Sequence, residues 1–507
     1  MDPPGLLPVM TALHRRRFLR GAAGLALAGA LAGCNESTND TATPASTPTV
    51  TPTLAPTPTA TATPTASPTG TPTDSPTETA SPTPSDAETA RAFVQDLADG
   101  AFERAHGRLA PTAANQLTVD TLERLWLGLT AQHGDFEEIG GVEQTSANGQ
   151  PAIVVTVRCP EADQPVRCTV DGSGAIAGLL FPAQYSPPTY ADESAFTERS
   201  VTVAGSDSDS ESDSGCSLPG TLTVPASASG GGSGDGGTVP GVVLVHGSGP
   251  NDRDSTLGPN KPLRDLAWGL ASRGVAVLRY DKRTAACNVP LADWNIDNIV
   301  VGDAVRAVEL LGEQSEVDPA RRYVVGHSLG ATCTPRIAER VDLAGGAMLA
   351  ASARPITDVV REQVRYVLSV AGGLSDAEEQ QVDAVEQALT RVENGEIAAD
   401  RRVQGLPGSW WSSLLDYDQV ATARQVDTPL FVGQGGRDYQ VTADGDFQVW
   451  ESELTDRADT EMQLYPDLSH LFQSGSEPSI GSEYNFHDNV AESVVTDLVD
   501  WIGETSG

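Results

Sequence analysis

Apolar positions change their period along this 507-residue chain. From residue 87 they recur with helical spacing, first at Ala90, Phe93, Val94, Leu97 and Ala101, then at Leu122, Leu125, Trp126 and Leu129. The period then shortens. Ile153 to Val157, Cys168 to Val170 and Ile176 to Phe181 predict strands. Helices followed by strands predict a small α+β domain over 87–186. Cys159 and Cys168 bracket an expected hairpin, where they are either paired in a disulfide or left as thiols. His106 and His133 have no ligand-spaced companions and read as surface or packing residues.

From about residue 196 to 505 the pattern alternates. A continuous apolar run at 242–245 and apolar-rich stretches at 275–280, 323–325, 347–350, 430–433 and 462–465 predict buried strands. Amphipathic stretches at 263–272, 300–311 and 331–340 predict helices, with Pro335 tolerated near a first turn. Strand and helix in alternation predict a doubly wound, mostly parallel sheet. Residues 353–425 interrupt it. Val360, Val364, Val367 and Leu368 recur helically there, as do Val382, Val385, Leu389 and Val392, so this insertion is expected to be a helical lid. Trp410, Trp411, Leu414 and Leu415 either line an acyl pocket or pack the lid. Cys287 and Cys333 read as small buried hydrophobes. Residues 206–214 and 227–238 read as acidic or flexible loops, and the first lacks the ligand spacing of a calcium loop.

No apolar period survives over 35–86, where 18 of 52 residues are Thr and 11 are Pro. Such a stretch cannot bury enough surface to offset its chain entropy, so a disordered stalk is expected. In extended polyproline geometry it would reach on the order of 160 Å. Ahead of it, Arg15-Arg16-Arg17-Phe18-Leu19-Arg20 precedes a short apolar run. The run is shorter than the roughly 20 residues of a membrane span. This segment resembles a twin-arginine export signal. Leu31-Ala32-Gly33-Cys34 resembles a lipobox. Residues 1–34 are therefore expected to be a lipoprotein signal, with Cys34 lipidated and the protein held on the outer face of the cytoplasmic membrane.

Charge narrows the partners. Asp and Glu number 69 against 32 Lys and Arg, a formal charge of −37. That excludes a nucleic-acid binder, which needs a basic face. Lys261 and Lys282 are the two lysines, and the acidic, lysine-poor style resembles the proteins of extreme halophiles. At molar salt the Debye length is about 3 Å, so such self-repulsion is screened.

The chemistry centres on Gly326-His327-Ser328-Leu329-Gly330, which follows an expected strand and opens an expected helix. That context puts a Ser on a sharp strand-to-helix turn. A Ser hydroxyl needs a base, and a base needs an orienting carboxylate. His470 follows the last apolar strand, whereas His487 lies in a polar loop farther on. Asp438 follows the strand at 430–433. Asp444 and Asp446 lie several residues past that turn and read as surface carboxylates. Two backbone N–H groups should face the developing oxyanion, those of Leu329 and of Ser248 in His246-Gly247-Ser248-Gly249.

These motifs, with Pro250 to Asp254, Gly258 to Pro262 and Arg279-Tyr280-Asp281-Lys282-Arg283, resemble α/β-hydrolases of the esterase, dienelactone-hydrolase-like and serine-aminopeptidase-like groups. The resemblance spans 196–505, and 87–186 resembles the small domain of unknown function that precedes some of them. It implies hydrolysis of carboxylic esters through an acyl-enzyme on Ser328, with a small-molecule ester or acyl substrate and no metal or organic cofactor. Aminopeptidase-like and thioesterase activities, or a catalytically silent binding lipoprotein, are the alternatives. Asp252 to Asp254 and Asp281 to Arg283 are expected to form a polar network that shapes the loop beside the site.

Overall fold

The computed structural model describes residues 85–147, 150–205, 216–228 and 237–505. The expected export signal, Cys34, the expected stalk up to residue 84, the acidic stretch 206–214 and most of 227–238 lie outside the described residues. Among the described residues no helix is long and apolar enough to cross a membrane.

The first unit packs four helices on a four-stranded antiparallel sheet. Helix α1 (Asp86–Ala98) starts at a capping box in which Ser85 and Glu88 exchange hydrogen bonds. Two short helices, α2 (Phe102–Gly107) and α3 (Pro111–Gln116), lead to α4 (Val119–His133), N-capped by Thr118. The strands β1 (Glu138–Ala147), β2 (Gln150–Arg158), β3 (Asp163–Val170) and β4 (Ile176–Leu180) pair in sequence order. Ala90, Phe93, Val94 and Leu97 of α1 meet Ile153, Val155 and Val166 in its core. Strand β1 escaped the apolar pattern because its sequence, EIGGVEQTSA, is largely polar.

Cys159 and Cys168 are both buried thiols, not a disulfide. Arg158 pairs with Asp163 across β2 and β3, so Cys168 lies five residues further along β3, about 17 Å away. A bridge needs Cα atoms within about 7 Å. Burial pushes these thiols up, to about 11 at Cys159 and about 12 at Cys168.

The second unit is an eight-stranded sheet in the order β14-β13-β10-β9-β7-β8-β6-β5. Its strands are β5 (Phe196–Ala204), β6 (Ser217–Pro225), β7 (Val239–Val245), β8 (Ala276–Tyr280), β9 (Val317–His327), β10 (Gly345–Leu349), β13 (Leu430–Gly435) and β14 (Thr460–Tyr465). Strands β14, β13, β10, β9, β7 and β8 run parallel to one another, and β6 and β5 add an antiparallel edge beside β8. Helices cover both faces. On one, α5 (Pro262–Ala271) and α15 (Glu492–Thr505) bury Leu266, Leu270, Val494 and Leu498. On the other, α7 (Gly302–Gly312) buries Ala304, Val308 and Leu311, with α6 (Arg283–Ala286) at the end of β8.

The expected helix over 331–340 is two short ones, α8 (Leu329–Thr332) and α9 (Thr334–Ala338). Pro335 has no N–H and its ring crowds the carbonyl four residues back, so the chain restarts there.

Between β10 and β13 lie α10 (Ile356–Ser369), α11 (Asp376–Glu393), a two-residue pair β11 (Arg402–Val403) and β12 (Leu406–Pro407), α12 (Gly408–Leu415) and α13 (Gln419–Gln425). Val360, Val364, Val385, Leu389, Val392 and Trp411 make a core of their own. Helix α14 (Gln448–Glu453) packs Trp450 under β13.

Cys287, expected as an apolar filler, instead bonds Cys216 across a sequence separation of 71. Cys333 is the buried thiol it was expected to be. Closing a loop of that length removes denatured-state freedom worth about 4 kcal/mol in the chain-entropy account. Denaturant titration with and without dithiothreitol is expected to show a loss of about 2–4 kcal/mol on reduction. Equal stability of the two forms would contradict this.

Candidate active site

Strand β9 ends in His327, and Ser328 turns the chain into α8 with φ +54° and ψ −119°. A non-glycine residue held there is strained, and such strain survives only where the surroundings enforce it. The enforcement is visible. A Cβ at Gly326 would stand 2.4 Å from backbone atoms of Gly330, and one at Gly330 would stand 2.3 Å from the Val245 carbonyl. Either position takes glycine alone, and the strand–turn–helix then lifts Ser328 into the open end of the sheet.

Strands β13 and β14 lie side by side, and the loops after them bring Asp438 and His470 together. Nδ1–H of His470 donates to Oδ2 of Asp438 at 2.7 Å, with both side chains buried. Oδ1 of the same carboxylate accepts from the amides of Gln440 and Val441, and Oδ2 also accepts from Gln434 Nε2. Every oxygen is therefore an acceptor, which fixes the proton on His470 Nδ1 and leaves Nε2 as the basic nitrogen. Neither His470 Nε2 nor Ser328 Oγ hydrogen-bonds another described residue. Contacts of this type are often long without substrate and tighten in the complex. His327 links the two elements. Its Nε2–H donates to the His470 carbonyl at 2.8 Å, and the two rings are 4.9 Å apart. Burial holds His327 and His246 down at about 4, so both stay neutral at ordinary pH.

Ser328 faces a cavity of about 730 Å³, its open mouth included, shared with Ser248 and Leu329. Among the described residues, neither the Ser248 nor the Leu329 amide donates to a protein acceptor, whereas the Ser328 amide is engaged by the Leu349 carbonyl. The other half of the Ser248 peptide is anchored. The Gly247 carbonyl accepts from Lys282 Nζ at 2.5 Å and from Asn251 Nδ2 at 3.1 Å. Carbonyl and N–H point opposite ways across a planar trans peptide. Lys282 thus turns the Ser248 N–H away from itself and strengthens its dipole.

The polar network expected around this loop is present. Arg253 grips Asp281 with two hydrogen bonds of 2.8 Å, Arg279 bonds Asp254 and Glu198, and the buried Arg283 pairs with the buried Asp303. His246 bonds the Tyr280 carbonyl and tethers β7 to β8.

Trp410 and Trp411 divide the two roles open to them. Trp410 lines the cavity with Leu406, Leu414 and Tyr417, and Trp411 packs the insertion. Among the described residues, the one charged group in the lining is Arg354. It is engaged by Asp446 and Glu362, with a 2.8 Å contact to Asp446, and these carboxylates hold it charged. Asp446 is therefore a fully buried partner of Arg354 and not a surface carboxylate, while Asp444 is exposed. His487 stands apart, bonded to Ser186.

Three residues near this centre were not singled out from the sequence for a role of their own. These are His327, Arg437, which pairs with Glu483 at 2.7 Å, and Glu483 itself. Position between Gly326 and Ser328 is the one signal that could have pointed to His327; nothing local marks Glu483.

Residues 242–478 match the model of the alpha/beta hydrolase family, and residues 90–179 match a family described as a protein of unknown function (DUF3887). The chain is 36% identical to esterase EstD of Thermotoga maritima over 419 residues, 82% of this chain and 95% of that one. Solved structures overlay more loosely. A puromycin-hydrolyzing peptidase of Mycobacterium tuberculosis aligns at 18% identity and TM-score 0.41 over 74% of this chain and 49% of that one. An esterase of Pyrococcus furiosus aligns at 14% and 0.39 over 64% and 98%. With its parallel sheet, its Ser-bearing turn and its identity to EstD over most of both chains, this protein belongs to the alpha/beta hydrolase family, as an esterase-like member.

Proposed function

We propose that this chain is an exported serine esterase, anchored by lipid at Cys34, that cleaves carboxylic esters through an acyl-enzyme on Ser328. Ser328 Oγ attacks the ester carbonyl while His470 Nε2 takes its proton. Asp438 holds the imidazole in the required tautomer and stabilises the imidazolium. The Ser248 and Leu329 amides receive the oxyanion. His470 then protonates the departing alcohol. Water, deprotonated by His470, attacks the acyl-enzyme, and the acid leaves with Ser328 restored. No metal or organic cofactor enters these steps. The observation that carries the reading is the 2.7 Å Asp438–His470 bond beside a strained Ser328 that shares a cavity with two unengaged amides.

The cavity lining favours esters over aminoacyl amides. Recognition of a substrate ammonium calls for a carboxylate, and among the described residues the lining holds none; its one charge there is the paired Arg354. Ile356, Val359, Leu406, Trp410 and Leu414 suit an uncharged apolar group. Export is supported by the twin-arginine and lipobox motifs and by the Cys216–Cys287 disulfide, a bond of oxidising compartments. The charge of −37 makes multimolar salt the proper assay medium. There, p-nitrophenyl esters are expected to turn over at least about 100-fold faster, in kcat/KM, than amino-acid p-nitroanilides, since a buried amine without a counter-charge is strongly disfavoured. Faster cleavage of the anilides would overturn the ester reading.

Lys282 provides a pH signature. Burial lowers its ammonium to about 8. As pH rises through that value the ammonium charge beside the Gly247 carbonyl is lost, the Ser248 N–H becomes a weaker donor, and kcat is expected to decline. Lys282→Met should lower kcat about 10-fold at pH 7, less than the 10²–10³ of deleting an oxyanion donor outright. Its residual rate should stay level from pH 7 to 9. Wild-type kcat in that variant would contradict the role.

A further inference from the structure

The small N-terminal domain has no candidate catalytic residue, yet it is joined to the esterase site by an unbroken chain of hydrogen bonds and packing contacts. We propose that this domain is a positioning element for Asp438 and His470, acting through the segment 474–488. The inference rests on the esterase reading above for the roles of those two residues.

The segment follows His470 and contains no strand and no regular helix beyond a single tight turn at Gly481–Asn485. Such chain has little of its own to hold it, so its shape comes from what it touches. On one side it touches α4. The Ser476 amide donates to the Ala131 carbonyl at 2.7 Å, and Ser482 Oγ donates to the Arg124 carbonyl at 2.5 Å. Gln132, buried, donates from Nε2 to both the Ser474 carbonyl and Asp488 Oδ2 at 3.0 Å. At Gly128 helix and segment meet backbone to backbone: a Cβ there would lie 2.5 Å from the Ser482 carbonyl carbon. Phe486 goes further. It is fully buried in the small domain's core, edge-on to His133 and Phe181 with ring centroids 5.7 and 5.5 Å away.

The opposite side of the same segment grips the acid loop. Arg437, the residue before Asp438, donates from Nη2 to the Ser476 carbonyl at 2.6 Å and to Glu483 Oε2 at 2.7 Å. Both side chains of that ion pair are almost wholly buried, and Ser479 Oγ donates to the second Glu483 oxygen at 2.7 Å. The residue after Asp438, Tyr439, stacks on Tyr366 of α10, whose hydroxyl donates to the Ser479 carbonyl at 2.7 Å. Asp438 is thus flanked on both sides by residues fixed to the segment that α4 holds. Gly475 marks the crossing, since a Cβ there would meet Arg437 Nη1 at 2.4 Å and the Ala131 carbonyl at 2.5 Å. Breaking a buried pair such as Arg437–Glu483 leaves an uncompensated charge, so the loop is pinned rather than free to drift. A misplacement of about 1 Å can cost about 10²-fold in rate.

The test uses the folded two-domain protein in multimolar salt. Gly128→Leu puts a good helix former into α4 and wedges it against Ser482. Gln132→Ala with Ser482→Ala removes side-chain bonds without adding bulk, and Arg437→Met, set against Arg437→Lys, cuts the path at its other end. Circular dichroism and thermal unfolding report whether each variant folds. Each folded variant is expected to lose about 10-fold or more in kcat, with KM within twofold of wild type, a displaced acid limb in the kcat–pH profile, and partial rescue by Arg437→Lys. The low-field proton resonance of the His470 Nδ1–H···Asp438 bond is expected to broaden or shift in the same variants. Folded Gly128→Leu and Gln132→Ala/Ser482→Ala proteins with wild-type kcat, pH profile and resonance would overturn the proposal. An inactive wild type would sink the esterase reading instead, and the resonance would still test the coupling.

Discussion

Ser328→Ala is expected to reduce kcat for p-nitrophenyl esters on the order of 10⁶-fold, the size that removal of a serine nucleophile reaches in an intact triad. The variant should fold as well as wild type or better. Alanine removes one hydroxyl, and that hydroxyl makes no hydrogen bond to another described residue. The positive φ of Ser328 remains, imposed by the close approach of Gly326 to Gly330 and of Gly330 to Val245. Substrate binding should persist, since the apolar lining around Leu406, Trp410 and Leu414 is untouched. Equal ligand affinity with no turnover separates a lost nucleophile from a damaged fold. Turnover within about tenfold of wild type would remove Ser328 from the mechanism.

Asp438→Asn is the second large effect, on the order of 10⁴-fold in kcat. Its cause lies in the hydrogen-bond directions. The Oδ1 position faces the Gln440 and Val441 amides, so the Asn carbonyl oxygen must sit there. The Asn NH₂ then falls at the Oδ2 position, opposite His470 Nδ1 and Gln434 Nε2. Gln434 cannot turn to accept it, because its own NH₂ is already donating to the Val441 and Gly435 carbonyls. His470 Nδ1 must become the acceptor, which moves the ring proton to Nε2. Nε2 then cannot take the proton of Ser328. Steady-state kinetics should show a lost kcat with a near-normal KM. Near-wild-type kcat in a folded Asp438→Asn protein would mean that a different group orients the base.

Most of the parallel sheet was legible because its strands are buried on both faces. Runs such as Val242 to Val245 and Leu430 to Val432 admit little else, and the observed strands there extend the expected ones by two or three residues. The edge strands β5 and β6 were not, since FTERSVTVA and SLPGTLTVP mix polar and apolar positions too evenly to stand out. Ser328, Asp438 and His470 could be placed because each follows a strand at the same end of the sheet, so topology alone brings them near one another. What the sequence could not reveal depends on long-range contacts. Arg437 and Glu483 are 46 residues apart, and Cys216 finds Cys287 rather than the thiols nearer in the chain. Asp446 looked like one more acid in an acidic protein until the fold buried it against Arg354.

The central claim is an acyl-enzyme on Ser328, and intact-protein mass spectrometry of a rapidly acid-quenched reaction with a p-nitrophenyl ester tests it most directly. The expected result is a mass increase equal to one acyl group, located by digestion to the peptide carrying Ser328 and absent from Ser328→Ala. Acylation at another residue, or turnover with no adduct in a quench fast enough to catch the burst, would contradict the account.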